Sequence, residues 1–95
     1  MELKLYNENY KLIDSSHSSW ILTGNVYKDT NNNININAEV TSEDNHIGSV
    51  YFESSANSNN VIINISANKA IKDELNSYVN NIIDEVISHL TTIGL

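Results

Sequence analysis

The chain has 95 residues with five Lys, twelve Asp or Glu, and no Arg, Cys or Pro, which gives a net charge of −7. This length predicts one domain with a small core, because only about 60–65% of the unfolded surface can be buried at this size. The acidic balance argues against direct binding to nucleic acid or anionic membranes, which requires Lys or Arg. Without Cys, disulfides and thiolate metal sites are excluded. No apolar run reaches the roughly 18 residues of a membrane span and no secretion signal is evident, so we expect a cytoplasmic protein.

The first 14 residues are compatible with a tight hairpin, one bent strand or a short helix. Two partly apolar stretches, Leu3–Tyr6 and Tyr10–Ile13, flank the polar segment Asn7-Glu8-Asn9. Apolar residues in these stretches also fall at helical spacing. We favour strand, because Asn and Tyr are weak helix formers.

Residues 20–67 alternate apolar and polar side chains, which is typical of strands with one buried face. Short polar segments between the apolar runs favour antiparallel hairpins. The alternation places the side chains of Val61, Ile63 and Ile65 in the core. The predicted strands are Trp20–Lys28, Asn33–Val40, Ile47–Glu53 and Val61–Ala67.

Residues 68–92 repeat apolar side chains every three or four positions, which predicts a long amphipathic helix with Asn68 as its N-cap. At 1.5 Å per residue this helix would be roughly 33 Å long, enough to cross a small sheet. The predicted fold class is therefore α+β. A single domain, residues 1–95, would combine an antiparallel β-meander of four to five strands (1–67) with one C-terminal helix packed across one face (68–92).

Acidic doublets are the first candidate binding feature. The two on the helix are eleven residues apart, almost a whole number of turns, so they project from nearly the same side about 16 Å apart. Lys69 could pair with Asp73, whereas the later doublet has no such partner within the helix. The three doublets are Asp73-Glu74 and Asp84-Glu85 on the helix, and Glu43-Asp44 at a predicted hairpin tip.

The outer face of the sheet is the second candidate binding feature. Tyr27 and Tyr51 would lie there among Asn side chains, and Tyr is enriched in protein contacts. The strands Asn33–Val40 and Val61–Ala67 also lack Pro and Lys, which natural edge strands use to prevent pairing with other chains. Such a strand is either interior to the sheet or available for association.

No motif predicts a catalytic, metal or cofactor site. The segment Asp29–Asn33 resembles the opening of a calcium loop, but Ile34 and Val40 stand where the loop requires Gly and Glu, so we interpret it as a hairpin turn. His17 lies near Asp14 in a Ser-rich stretch. We interpret this stretch as a solvated loop, because catalytic triads are assembled from separated parts of a fold.

These features favour a non-catalytic cytoplasmic inhibitor or adaptor whose acidic face binds a partner protein with a basic surface. A phage-encoded protein that blocks the basic groove of a nucleic-acid-handling enzyme, such as a CRISPR effector, fits this description. A self-associating structural or accessory subunit, for example a homodimer that uses sheet edges and the helix, is the second hypothesis. A toxin-immunity protein, a small hydrolase or a ligand-binding protein would also have this size and charge.

Overall fold

The computed structural model describes residues 2–6 and 9–92, which form one antiparallel sheet and one long helix. The predicted α+β meander is confirmed, but the sheet has six strands instead of four to five, because residues 2–6 and 9–14 form two paired antiparallel strands. Asn7 and Glu8, part of the polar segment considered in the sequence analysis, lie outside the described residues. The strands are β1 (Glu2–Tyr6), β2 (Asn9–Asp14), β3 (Trp20–Lys28), β4 (Ile34–Ser42), β5 (Asn45–Ser54) and β6 (Val61–Ala67).

The helix α1 (Lys72–Thr92) follows a short 3₁₀ turn, Lys69–Ile71. Asn68 caps this turn, since its side-chain oxygen accepts a hydrogen bond from the backbone N–H of Ala70 at 2.9 Å. The predicted cap is therefore confirmed, although the residues directly after it are 3₁₀ and not α-helical. Within the described residues, no helix combines the length and apolar character needed to cross a membrane.

The strands lie in sequence order, and each pairs antiparallel with the next. Successive connections of such a meander alternate between the two ends of the sheet. The β2–β3 loop, the β4–β5 turn and the connection from β6 to α1 therefore share one end, which we call the helix-start end. This placement matters because residues from all three connections are candidates for the functional surface.

α1 packs against one face of the sheet, and the core lies between them. Alternate strand residues point into this core, as the period of two predicts. Asp14 is the one buried residue of the described chain with a charged side chain. The buried hydrophobic residues are Tyr10, Leu12, Trp20, Leu22, Val26, Ile36, Val40, Val50 and Phe52 from the sheet and Leu75, Tyr78, Val79, Ile82, Ile83, Val86 and Leu90 from α1.

The last strand differs from its prediction. Val61 and Ile63 were expected in the core, yet they are 51% and 42% exposed. Ile63 pairs with Phe52 and therefore lies on the helix side of the sheet, as the alternation predicted. However, β6 is an edge strand whose first three residues are left uncovered, while Ile65 and Ala67 pack against the core. Periodicity shows which face a side chain occupies, but it does not show whether another element covers that face.

A bulge in β5 and Gly48 let the helix approach the sheet closely. The register between β4 and β5 shifts between Val40 and Thr41, so Ile47 is an extra residue in β5. A Cβ at Gly48 would lie 2.7 Å from Cδ1 of Leu75 and 2.8 Å from a backbone oxygen of β6. Such contacts are too short for any larger residue, so Gly48 allows the first turns of α1 to rest on β5.

Candidate functional site

The two helix doublets lie on the solvent side of α1. Asp73, Glu74, Asp84 and Glu85 are all exposed, whereas the opposite side of the helix is buried against the sheet. An offset of eleven residues rotates the second doublet by only about 20° relative to the first. Both doublets therefore lie along one exposed side of the helix, as the sequence predicted.

The third doublet forms the two-residue turn between β4 and β5. Glu43 and Asp44 are exposed and have positive φ angles of 51° and 68°. Two successive positive φ angles define a type I′ turn, which Asn-Gly adopts most readily. Glu43-Asp44 lies at the helix-start end of the sheet, as does Asp73-Glu74. We call the six exposed carboxylates of Asp73, Glu74, Asp84, Glu85, Glu43 and Asp44 the acidic surface.

The first helix doublet has a basic neighbour that the sequence did not reveal. Nε2 of His17 lies 2.6 Å from a carboxylate oxygen of Glu74, so a protonated His17 forms an ion pair with it. The His17 ring also contacts the rings of Trp20 and Tyr78, with centroid distances of 4.7 and 5.2 Å. The Ser-rich stretch is a loop with exposed Ser residues, as predicted, but the His17 side chain itself is half-buried against the helix.

A buried carboxylate lies beneath this loop. Asp14 accepts hydrogen bonds from the Tyr78 hydroxyl and from the backbone N–H and hydroxyl of Ser16. Burial by itself would raise the pKa of Asp14, but the hydrogen bonds from Tyr78 and Ser16 outweigh it and hold that pKa below its ordinary value. Burial raises the pKa of Tyr78, and so do its hydrogen bond to Asp14 and the negative charge of Asp14. At neutral pH, Asp14 is therefore ionised and Tyr78 keeps its proton.

The hydrogen bonds in this cluster differ from those of a catalytic triad. In a triad, His lies between the nucleophile and the carboxylate. Here Ser16 donates directly to Asp14, while His17 contacts Glu74. The cluster joins the β2–β3 loop to α1 and so positions the helix start on the sheet. Sequence reasoning missed the role of Asp14, because Tyr78 is 64 positions away.

The open face of the sheet carries the two predicted Tyr residues. Tyr27 is 46% exposed there, and the Tyr51 hydroxyl donates to a Glu53 carboxylate oxygen at 2.8 Å. This bond, together with partial burial, raises the pKa of Tyr51. Side chains of five strands, β2 to β6, line a shallow groove of about 840 Å³ on this face. Its lining is mixed, and the residues that contribute amides and hydroxyls are Asn25, Asn37, Asn64, Thr23, Ser49 and Ser66.

The predicted binding residues therefore form two separate surfaces. Asp84 and Glu85 are exposed on α1, which covers one face of the sheet, whereas Tyr27 and Tyr51 lie on the opposite face. A single flat partner cannot contact both sets. The acidic surface and the open sheet face are therefore different candidate sites.

The Asp29–Asn33 segment is a hairpin turn, as predicted. One Asp29 carboxylate oxygen accepts from the backbone N–H groups of Asn31 and Asn33 at 2.9 and 3.0 Å. Hydrogen bonds from the Asn33 backbone and side chain lower the pKa of Asp29. Among residues 2–6 and 9–92, no group of three or more His, Asp or Glu side chains is placed to hold a metal ion.

Comparison with known proteins does not assign a family. No protein-family model matches the chain, and neither a curated protein nor a solved structure matches it. Its function must therefore be inferred from the chemistry of its own surfaces.

Proposed function

We propose that this protein is a non-catalytic inhibitor or adaptor that binds a basic surface of a partner protein through its acidic surface. The observation that supports this proposal best is the exposed pair Asp84 and Glu85. No Lys or Arg follows Lys72 in the chain, so the second half of α1 has no strong base of its own. The ion pairs of Lys4 with Glu2 and of His17 with Glu74 involve other carboxylates.

The geometry of the helix also supports a protein partner. The two helix doublets are about 16 Å apart along α1. A helix is a rigid element, so their carboxylates are held in place before binding. Glu74 already contacts His17 at 2.6 Å, so we take Asp84 and Glu85 as the stronger attraction for Lys and Arg. Oppositely charged surfaces accelerate association and make the affinity depend on salt.

The partner class we propose is a nucleic-acid-handling enzyme whose Lys- and Arg-lined groove normally holds phosphate. A CRISPR effector is one example, and the protein would then be phage-encoded and act in the host cytoplasm. Carboxylates placed in such a groove compete directly with phosphates for the same cations. Bound nucleic acid and bound inhibitor would therefore exclude each other.

Charge reversal tests this proposal. The tagged protein is used to capture partners from bacterial lysate at low salt, and the affinity of the purified partner is measured by calorimetry. We expect Asp84→Lys combined with Glu85→Lys to weaken binding at least tenfold. We also expect excess duplex DNA or RNA to release the partner from the unchanged protein.

The matched control is Glu2→Lys combined with Glu39→Lys, which reverses two charges on strands of the sheet. Both double variants have a net charge of −3, because each reversal adds two to the −7 of the chain. We expect the control to bind within about threefold of the unchanged protein. Equal affinities of the Asp84/Glu85 variant and the unchanged protein would refute the role of the acidic surface.

A further inference from the structure

The two edges of the sheet are protected unequally. β1 carries Glu2 and Lys4, whose side chains form an exposed ion pair at 3.8 Å. Charged side chains, especially Lys, are the usual means by which an edge strand avoids pairing with another chain. β6, the opposite edge, has the sequence VIINISA and contains neither a charge nor a Pro. Its backbone edge is therefore open to pairing.

β6 also exposes apolar side chains on both faces of the sheet. Val61, Ile62 and Ile63 are 51%, 51% and 42% exposed. Ile63 lies beside Phe52 on the helix side, and Ile62 lies beside Glu53 on the open face. Consecutive exposed apolar residues on an unprotected edge are a hazard for aggregation unless another strand covers them. A strand added along β6 would cover both faces at once.

We propose that β6 pairs antiparallel with β6 of a second copy, which makes a dimer with one continuous twelve-stranded sheet. Charge favours a second copy at this edge. Residues 54–68 are fifteen consecutive residues without Asp, Glu, Lys, Arg or His, in a chain of net charge −7. Two copies would repel each other across most of their surfaces, but along β6 no like charges meet.

Symmetry supports the same arrangement. Pairing of β6 with β6 is isologous and closes after two copies, whereas pairing of β6 with β1 would continue into an open fibre. The dimer would expose only its two β1 edges, which carry the Glu2–Lys4 ion pairs. In the antiparallel arrangement the charged start of α1 in one copy also lies beside the uncharged β5–β6 loop of the other.

The length of β6 determines the register. The strand has seven residues, Val61–Ala67, so all of them pair only when Asn64 lies opposite Asn64 of the second copy. Ile63 then lies opposite Ile65 of the second copy on the helix side, which extends the apolar row beyond Phe52. Residues opposite each other in antiparallel strands have Cα atoms about 4.5–5.5 Å apart, which is within the range of a disulfide.

Solution mass and one Lys substitution test the dimer. We expect about 21 kDa at 50 µM, twice the 10.6 kDa of the chain, by sedimentation equilibrium. Asn64→Lys places two like charges directly opposite each other, so we expect at least a tenfold increase in the dissociation constant. Asn37→Lys, the same substitution on the open face of the central strand β4, should leave the dimer intact. A monomeric unchanged protein, or equal dissociation constants for both variants, would overturn the proposal.

Cross-linking tests the register directly, because the chain has no Cys of its own. Under mild oxidation we expect Asn64→Cys to form a covalent dimer in most molecules, whereas Asn37→Cys remains monomeric on a non-reducing gel. If neither variant cross-links, or both do equally, Asn64 does not lie on the two-fold axis.

The β6 dimer does not depend on the acidic surface, since β6 carries no acidic residue. Asn64→Lys should keep its affinity for a basic partner, and the Asp84/Glu85 reversal should keep the dimer. The failure of one proposal is therefore distinguishable from the failure of the other.

Discussion

The Tyr78 hydroxyl and the Asp14 carboxylate join α1 to the end of β2 in the core. Tyr78→Phe removes the donor and leaves the buried carboxylate with one hydrogen bond fewer. Losing a hydrogen bond to a buried group costs about 1–3 kcal/mol. We expect the free energy of unfolding in urea at pH 7 to fall by this amount. Tyr27→Phe, on the exposed face, is the matched control and should change it by less than about 0.5 kcal/mol.

The hydrogen bond between Tyr78 and Asp14 predicts that the free energy of unfolding depends on pH. Hydrogen bonds hold the folded-state pKa of Asp14 below its ordinary value of 3.8. The stabilisation from Asp14 is therefore present above the unfolded-state pKa and is lost as pH falls through the lower, folded-state pKa. The difference between Tyr78→Phe and the unchanged protein should shrink between pH 6 and pH 2. If the stability difference between the two proteins grows as pH falls, Tyr78 does not donate to an ionised Asp14 carboxylate.

Residue-scale contacts were the least predictable from the sequence. Asp14, His17 and Ser16 were visible as neighbours, but their partners Tyr78 and Glu74 lie more than 50 positions away. No local pattern connects positions so far apart. Only the packing of α1 over the β2–β3 loop brings them together, so sequence reasoning assigned His17 to solvent.

At the scale of elements, the β4–β5 turn places the Glu43-Asp44 doublet in a backbone conformation that non-Gly residues rarely adopt. Glu43 and Asp44 both have positive φ angles, which cost non-Gly residues about 1 kcal/mol or more. Glu43→Asn combined with Asp44→Gly gives the Asn-Gly sequence that a type I′ turn prefers. We expect this variant to be more stable by about 1 kcal/mol in urea unfolding.

This turn variant also separates stability from binding. It removes two carboxylates of the acidic surface, so we expect weaker binding to a basic partner despite greater stability. A variant that is more stable but binds more weakly cannot have lost its affinity through unfolding. An unchanged affinity would remove Glu43-Asp44 from the acidic surface, and lower stability would contradict the type I′ geometry.

Strand prediction succeeded where alternation was uninterrupted. The bounds of β3 and β6 agree with their predictions, because polar turns border both runs. β5 begins two residues earlier than predicted, since its bulge at Ile47 interrupts the alternation. The β1–β2 hairpin was one of three conformations compatible with its sequence, because short apolar runs fit strand and helix periods equally well.

At the scale of the whole molecule, a net charge of −7 on 95 residues repels itself in the compact state. Salt screens this repulsion, so we expect the thermal midpoint to rise between 20 mM and 500 mM NaCl at one protein concentration. A gain of about 1 kcal/mol corresponds to roughly 4–8 °C for a domain of this size. The Asp84/Glu85 reversal, with a net charge of −3, should show a smaller rise. A midpoint that falls with salt would indicate that attractive ion pairs dominate.

The sequence by itself determined the fold class, the helix, the bounds of β3 and β6, and the exposure of the three acidic doublets. Periodicity and turn residues act over a few positions, so they can be recognised without knowledge of the rest of the fold. The sequence also determined which face of β6 carries each side chain.

The tertiary structure decided the rest: the burial of Asp14 under the helix, the contact of His17 with Glu74, and the placement of acidic and tyrosine residues on opposite faces. It also placed β6 at an unprotected edge with Val61, Ile62 and Ile63 exposed. These features depend on which elements pack together and where the sheet ends. Such relations join residues far apart in the chain, and no local periodicity records them.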